Sequence, residues 1–77
     1  MTKAYILIKT QVGRTDLVQA ALRHLPGVQA ADMVIGPYDV IAVVQGADLD
    51  AVGKLVLNEI HGVSGVESTL TCPVVEC

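Results

Sequence analysis

Short runs of apolar residues alternate along this chain with polar elbows, and their spacing changes from the two-residue repeat of strands to the three-to-four-residue repeat of helices. Tyr5-Ile6-Leu7-Ile8 reads as a first strand. Gly13-Arg14-Thr15-Asp16 then opens a helix, with Thr15 as its N-cap, Asp16 in its first turn and Leu17, Val18, Ala21 and Leu25 as its apolar stripe. Pro26 and Gly27 stop that helix, and Val28 begins a second strand. Gly36-Pro37-Tyr38-Asp39 carries turn chemistry, so the runs on either side form a hairpin whose second arm extends from about Tyr38 to Gln45. Asp48 is placed to cap a second helix, along which Leu49, Val52, Val56, Ile60 and Val63 recur at near-helical spacing. That helix ends in Gly62 to Gly65, and Val66 to Val75 reads as the last strand. There Val66, Ser68, Leu70, Cys72 and Val74 share one face, Glu67, Thr69, Thr71, Pro73 and Val75 take the other, and Pro73 marks an edge or an exit from the sheet.

The order is βαβ followed by βαβ, and each half passes from helix to strand through a glycine and a valine, Pro26-Gly27-Val28 and Ser64-Gly65-Val66. This predicts an α+β, ferredoxin-like βαββαβ sandwich occupying residues 1–77 as one domain: a four-stranded antiparallel sheet with both helices on one face. The other face has no cover from its own chain and should be polar. It is not, because Ile6 and Ile8 alternate with Tyr5 and Leu7, and Ile41 and Val43 alternate with Val40, Ala42 and Val44. Two apolar faces on one sheet predict a homodimer packed sheet to sheet. The 52% apolar content points the same way, since 77 residues make a core too small to hide it.

Charge removes several functions. The net charge is −3, and the five basic residues, Lys3, Lys9, Arg14, Arg23 and Lys54, form no stripe that could follow phosphates, so direct nucleic-acid binding is not expected. With no Phe or Trp and only Tyr5 and Tyr38, the chain also lacks a base-stacking platform. No apolar run approaches the roughly 20 residues of a membrane span, so a cytoplasmic protein is expected. Cys72 and Cys77 point to opposite sides of an extended strand and are expected to be free thiols.

Candidate chemistry centres on the hairpin. Tyr38 and Asp39 set an amphipathic ring and a lone carboxylate beside backbone that Gly36 leaves uncovered, which suits the ammonium or amide of a small ligand; the competing reading is that Pro37 and Asp39 only shape the turn. Thr69 and Thr71 offer two hydroxyls on what is read as the outer face of the last strand. His24 and His61 fall at helix ends, where an imidazolium gains from the helix dipole, and neither has a second ligand at a metal spacing. Asp16, Asp48 and Asp50 are accounted for by helix starts, Gly13-Arg14-Thr15 is an ordinary connection rather than a phosphate loop, and no nucleophile has a base at a readable spacing. No catalytic residue, metal or cofactor is therefore called for.

With Pro26-Gly27-Val28, Val34-Ile35-Gly36-Pro37-Tyr38-Asp39 and Gly65-Val66-Glu67-Ser68-Thr69-Leu70-Thr71 in this order, essentially the whole chain resembles the effector-binding module of Lrp/AsnC transcriptional regulators. Those regulators carry a helix-turn-helix domain ahead of the module, whereas here the first strand begins within a few residues of Met1, so the resemblance implies a stand-alone sensor of amino acids or related metabolites that does not itself contact DNA. It further implies dimers paired through their sheets and assembled into octamer-like rings, with the amino acid between neighbouring dimers and full-length regulators as possible partners. Carried over position by position, it assigns ligand contact to Gly36, Tyr38, Asp39, Thr69 and Thr71, with Asp39 taking the ligand ammonium and the Gly36 backbone approaching its carboxylate. Ile35 stands where many relatives have threonine, and Pro37 stiffens the loop. A purely structural partner of such rings, a small dimeric α+β barrel enzyme and an amino-acid-binding ACT-type module are the alternatives the strand order also allows.

Overall fold

The computed structural model describes residues 1–75; the expected free thiol of Cys77 lies outside them. The elements follow the predicted order: β1 Thr2–Thr10, α1 Thr15–Leu22, β2 Val28–Met33, β3 Val40–Gly46, α2 Leu49–Leu55 and β4 Val66–Pro73. The last turns of α2 widen over Val56–Ile60, where the His61 amide reaches back to the Val56 carbonyl at 3.0 Å, and this keeps Val52, Val56 and Ile60 all turned to the sheet. All four strands are antiparallel in the order β2-β3-β1-β4, so the chain is a β-α-β-β-α-β ferredoxin-like sandwich.

The core lies between this sheet and the two helices. Ala4, Ile6 and Ile8 of β1, Val40, Ala42 and Val44 of β3, and Ala31 of β2 meet Val18 and Leu22 of α1 and Val52, Val56 and Ile60 from the second helix. Of the expected stripe on α1, Val18 is buried and Leu25 packs against the core from beyond the helix end, whereas Leu17 is 55% exposed and Leu22 is buried in addition. The Asp48 cap forms as expected, its Oδ1 accepting from the Ala51 amide at 2.8 Å. Thr15 does not cap α1. It is the first helical residue, Arg14 precedes it without a side-chain cap, and the Thr15 hydroxyl is engaged elsewhere, 2.7 Å from Thr10 Oγ1.

The two glycine-valine junctions work alike. Gly27 and Gly65 both have positive φ, +90° and +103°, and each turns its carbonyl to the strand end of the other βαβ half: Gln45 N–H donates to Gly27 O at 2.9 Å and Gln11 N–H to Gly65 O at 2.8 Å. At Gly65 the need for glycine is also steric, since a Cβ there would stand 2.9 Å from Arg14 Cβ and 3.0 Å from Val18 Cγ2.

The register corrects one side assignment. Ile6 pairs with Thr71 and Ile8 with Thr69, while Leu7 pairs with Leu70 and Tyr5 with Cys72. Directly opposed residues share a face. Thr69 and Thr71 therefore lie on the helix side of the sheet, half-buried, and it is Ser68, Leu70 and Cys72 that belong to the uncovered face. From Ser68 to Pro73 the alternation along β4 is as read, but its sense is the reverse, because the sequence of β4 carries apolar residues on both faces; at Val66 it fails, since the register shift between Lys9 and Thr10 sets Val66 opposite buried Thr10 and against the core, away from the face of Ser68 and Leu70. β4 is also shorter than expected, ending at Pro73, and β3 starts at Val40 rather than Tyr38.

Candidate functional site

At the end of the sheet where β1 runs out, the hairpin linking β2 to β3 folds back on Thr10. The Asp39 amide donates to Ile8 O and the Val34 amide to Asp39 O, both at 2.9 Å. The Asp39 carboxylate then supplies the next acceptor in line, with Oδ2 taking the Thr10 amide at 2.9 Å and the Thr10 hydroxyl at 3.2 Å. Asp39 thus extends the ladder between β1 and β3 with a side chain where the backbone turns away. Thr10 is buried at 7% exposure, so its amide needs that acceptor.

The direction of the Thr10–Thr15 hydrogen bond follows from proton counting. A carboxylate only accepts, so Thr10 donates its one hydroxyl proton to Asp39 Oδ2. The 2.7 Å contact between the two hydroxyls must then be donated by Thr15 to Thr10. The chain Thr15 to Thr10 to Asp39 ties α1, β1 and the hairpin together and fixes the carboxylate, leaving Oδ1 without a partner among the described residues. An oriented carboxylate oxygen with no donor of its own suits an ammonium, guanidinium or amide N–H of a small molecule.

Around it the hairpin is open. Gly36 has φ +152° and nothing within 4 Å of where a Cβ would sit, so its backbone is accessible, as the sequence suggested. Tyr38 is half-buried. Ile35 and, on the loop after β1, Val12 are fully exposed, at 106% and 104%. Lys9, which the sequence did not single out, reaches the same hairpin with Nζ 3.5 Å from Pro37 O, so an ammonium and a carboxylate flank one short segment. Only the β1–β3 pairing brings Lys9 there, across 28 residues of sequence.

Gly36, Tyr38 and Asp39 are brought together, whereas Thr69 and Thr71 are not part of the group within one chain. Thr69 stands on the other side of β1, beside Ile8, and its hydroxyl lies 2.9 Å from His61 Nε2. His61, expected only to complement a helix end, thereby links that end to β4. Among the described residues no group of three or more His, Cys, Asp and Glu side chains could hold a metal, and no helix is long and apolar enough to cross a membrane.

The structure is thus a ferredoxin-like domain with one apolar sheet face uncovered and an oriented carboxylate at the β2–β3 hairpin. The Lrp/AsnC ligand binding domain matches residues 3–76, and the chain belongs to that family. It is 32% identical over 73 residues to an uncharacterised HTH-type transcriptional regulator of Pyrococcus furiosus, a match covering 91% of this chain and 49% of that protein. The chain thus spans about half the length of the curated relative it matches. Among solved structures, a protein of Thermus thermophilus superposes with TM-score 0.93 at 31% identity, covering 100% of this chain and 96% of that one. A Neisseria meningitidis transcriptional regulator, solved as an L-Met complex, superposes with TM-score 0.84, covering 97% of this chain and 50% of that one; at 19% identity this likeness shows the fold alone.

Proposed function

We propose that this chain is an amino-acid-sensing module linked to the regulation of amino-acid metabolism, acting by binding rather than by catalysis. The observation that carries the reading is the Asp39 carboxylate, held by Thr10 with one oxygen unengaged, beside accessible Gly36 backbone. Asp39 takes the ligand ammonium, Gly36 backbone and Tyr38 line the same hairpin, and Lys9 stands ready for the ligand carboxylate. The module forms a homodimer through Tyr5, Leu7, Ile41, Val43 and Leu70 on its uncovered sheet face, and the dimers assemble into a ring in which a neighbour closes over the exposed Ile35 and Val12. The unengaged Asp39 oxygen and the Lys9 ammonium on one hairpin match the ammonium and carboxylate of an amino acid, which supports that ligand class. Thr69 and Thr71 enter the ligand site only where a neighbouring chain brings its own β4 to this hairpin.

The test is a thermal-shift screen of the twenty amino acids on the wild type and on Asp39→Asn, with light scattering on each hit. Asparagine still accepts from the Thr10 amide, so the fold persists while the charge is lost. A ligand at 100 times its Kd stabilises the folded state by about 2.7 kcal/mol. The expected result is a rise in Tm with one or a few amino acids that disappears in Asp39→Asn. An equal rise in the variant would move the site elsewhere, and no rise with any amino acid, with a large oligomer intact, would replace the sensor by a structural partner of full-length regulators.

A further inference from the structure

Along the outer edge of β2 runs an open cleft of about 340 Å³, lined by Arg23, Val28, Gln29, Ala30, Ala31 and Asp32, and it shares no residue with the hairpin group. A bulge shapes it. Val28 opposes Val44 and Ala30 opposes Val43, so Gln29 is an extra residue and the strand bends at this point. The Gln29 side chain is drawn back toward β3, its Nε2 donating to Gln45 Oε1 at 2.6 Å.

Two charges line this cleft without pairing. Arg23 reaches it from the end of α1, where its Nε donates to the Ala31 carbonyl at 3.3 Å, beside Gln19 Nε2 at 2.9 Å. With Nε held by backbone, the two Nη groups at the far end of the planar fork have no partner among the described residues, and that end suits a carboxylate through two parallel hydrogen bonds. Asp32 comes from the opposite side of the strand. Ala31 opposes Ala42 in the core, so Asp32, the next residue, opposes Ile41 and turns to the uncovered face. Among the described residues the ion pair formed is Lys54–Asp50 at 3.3 Å, and neither Arg23 nor Asp32 takes part in one. A guanidinium and a carboxylate thus flank one strand edge, with half-buried Val28 and Ala30 in the wall of the same cleft.

We propose that the β2-edge cleft is a second ligand site, for a compact zwitterion: a small molecule that carries a carboxylate and an ammonium close together on a short aliphatic body. The carboxylate sits on the Arg23 Nη groups, the ammonium on Asp32, and the aliphatic part against Val28 and Ala30. Asp32 disfavours a bare anion and Arg23 a bare cation, so the pair selects a molecule that has both charges. Free α-amino acids and dipeptides share this chemistry. The site stands apart from the hairpin reading, since none of its residues contributes to that group.

Both charges are exposed, so each contributes modestly, and the binding is read by saturation-transfer NMR, which detects weak ligands on a large oligomer. The protein is the Asp39→Asn variant, in which the hairpin charge is gone, and the probes are the twenty amino acids and dialanine, each in turn. Saturation transfer to at least one probe is expected, with its Kd raised about fivefold by Arg23→Gln and about fivefold by Asp32→Asn. Arg23→Lys, which keeps the charge but not the fork, should fall between wild type and Arg23→Gln. The deaminated analogue of the strongest probe, with only its carboxylate left, should bind about fivefold more weakly than the probe itself. Dialanine binding more tightly than L-alanine assigns the cleft to dipeptides, and the reverse assigns it to free amino acids. No transfer to any probe overturns the proposal, as does a Kd that both folded variants leave unchanged, or a deaminated analogue that binds as well as its parent. Asp32 is exposed and Asp32→Asn is isosteric, so that variant decides if Arg23→Gln does not fold. Probes that bind the wild type but not Asp39→Asn sustain the hairpin reading and overturn this one; binding in Asp39→Asn that Arg23→Gln and Asp32→Asn weaken sustains this one whatever the hairpin does.

Discussion

On β1, Ile6 and Ile8 are fully buried, while Leu7 between them is half-buried and Tyr5 is 40% exposed. The same contrast repeats on β3, where Val40, Ala42 and Val44 face the helices and Ile41 and Val43 do not. The two sheet faces are built from the same aliphatic residues. One is covered by its own helices and the other is left uncovered among the described residues, so hydrophobic content alone does not say which contacts a chain makes internally. The difference lies in what the connections can reach: both crossovers put their helices on one side, and among the described residues no element covers the other.

The sharpest way to break this comparison is to make the same kind of cut on both faces. Ile8→Ala, in the filled face, should cost about 2–5 kcal/mol of unfolding free energy at any protein concentration. Leu7→Ala should cost about 1 kcal/mol or less in dilute protein and act instead on association. Urea unfolding of each variant at low and high concentration measures both, and a concentration-independent loss for Leu7→Ala as large as that for Ile8→Ala would mean that the uncovered face is not an interface.

A smaller effect is expected at the junction that seats α1 on the sheet. Gly65→Ala meets both an unfavourable φ of +103° and the close Arg14 and Val18 carbons, and should cost about 1–3 kcal/mol, read as a lowered Tm. Unchanged Tm would show that α1 can shift away from β4, weakening the contrast between a rigid covered face and a free one. Smallest is Asp48→Ala, which removes the α2 cap and should cost about 1 kcal/mol by the same measurement without altering association. A change in oligomer size in that variant would tie α2 to the assembly.

Much of the covered side was legible in the chain. The strand order, the Asp48 cap, the apolar positions of the second helix and the apolar character of both sheet faces all follow from local spacing, because period and turn chemistry act over a few residues. The candidate site was legible in part. Gly36, Tyr38 and Asp39 are contiguous and could be named together, but the partner that orients Asp39 lies 29 residues away at Thr10, and Lys9 reaches the hairpin only through the sheet. Thr15 was misread for the same reason: a hydroxyl before a helix looks like a cap until a distant strand end lies 2.7 Å from it.

By itself, then, the sequence determined which residues share a face wherever a strand is regular, since alternation is intrinsic to the backbone, and it missed only the register shift that turns Val66 to the helix side. Which of the two faces meets the helices was decided by register. Pairing Thr69 with Ile8 and Thr71 with Ile6 put the threonines inside and Leu70 outside, a choice a single strand cannot make, because a one-residue slip against its neighbour inverts every side chain at once. The cleft at the β2 edge is likewise tertiary. Nothing in β2 alone says that Gln19 and Arg23 will reach its Ala31 carbonyl, because that depends on where the packed sheet places α1.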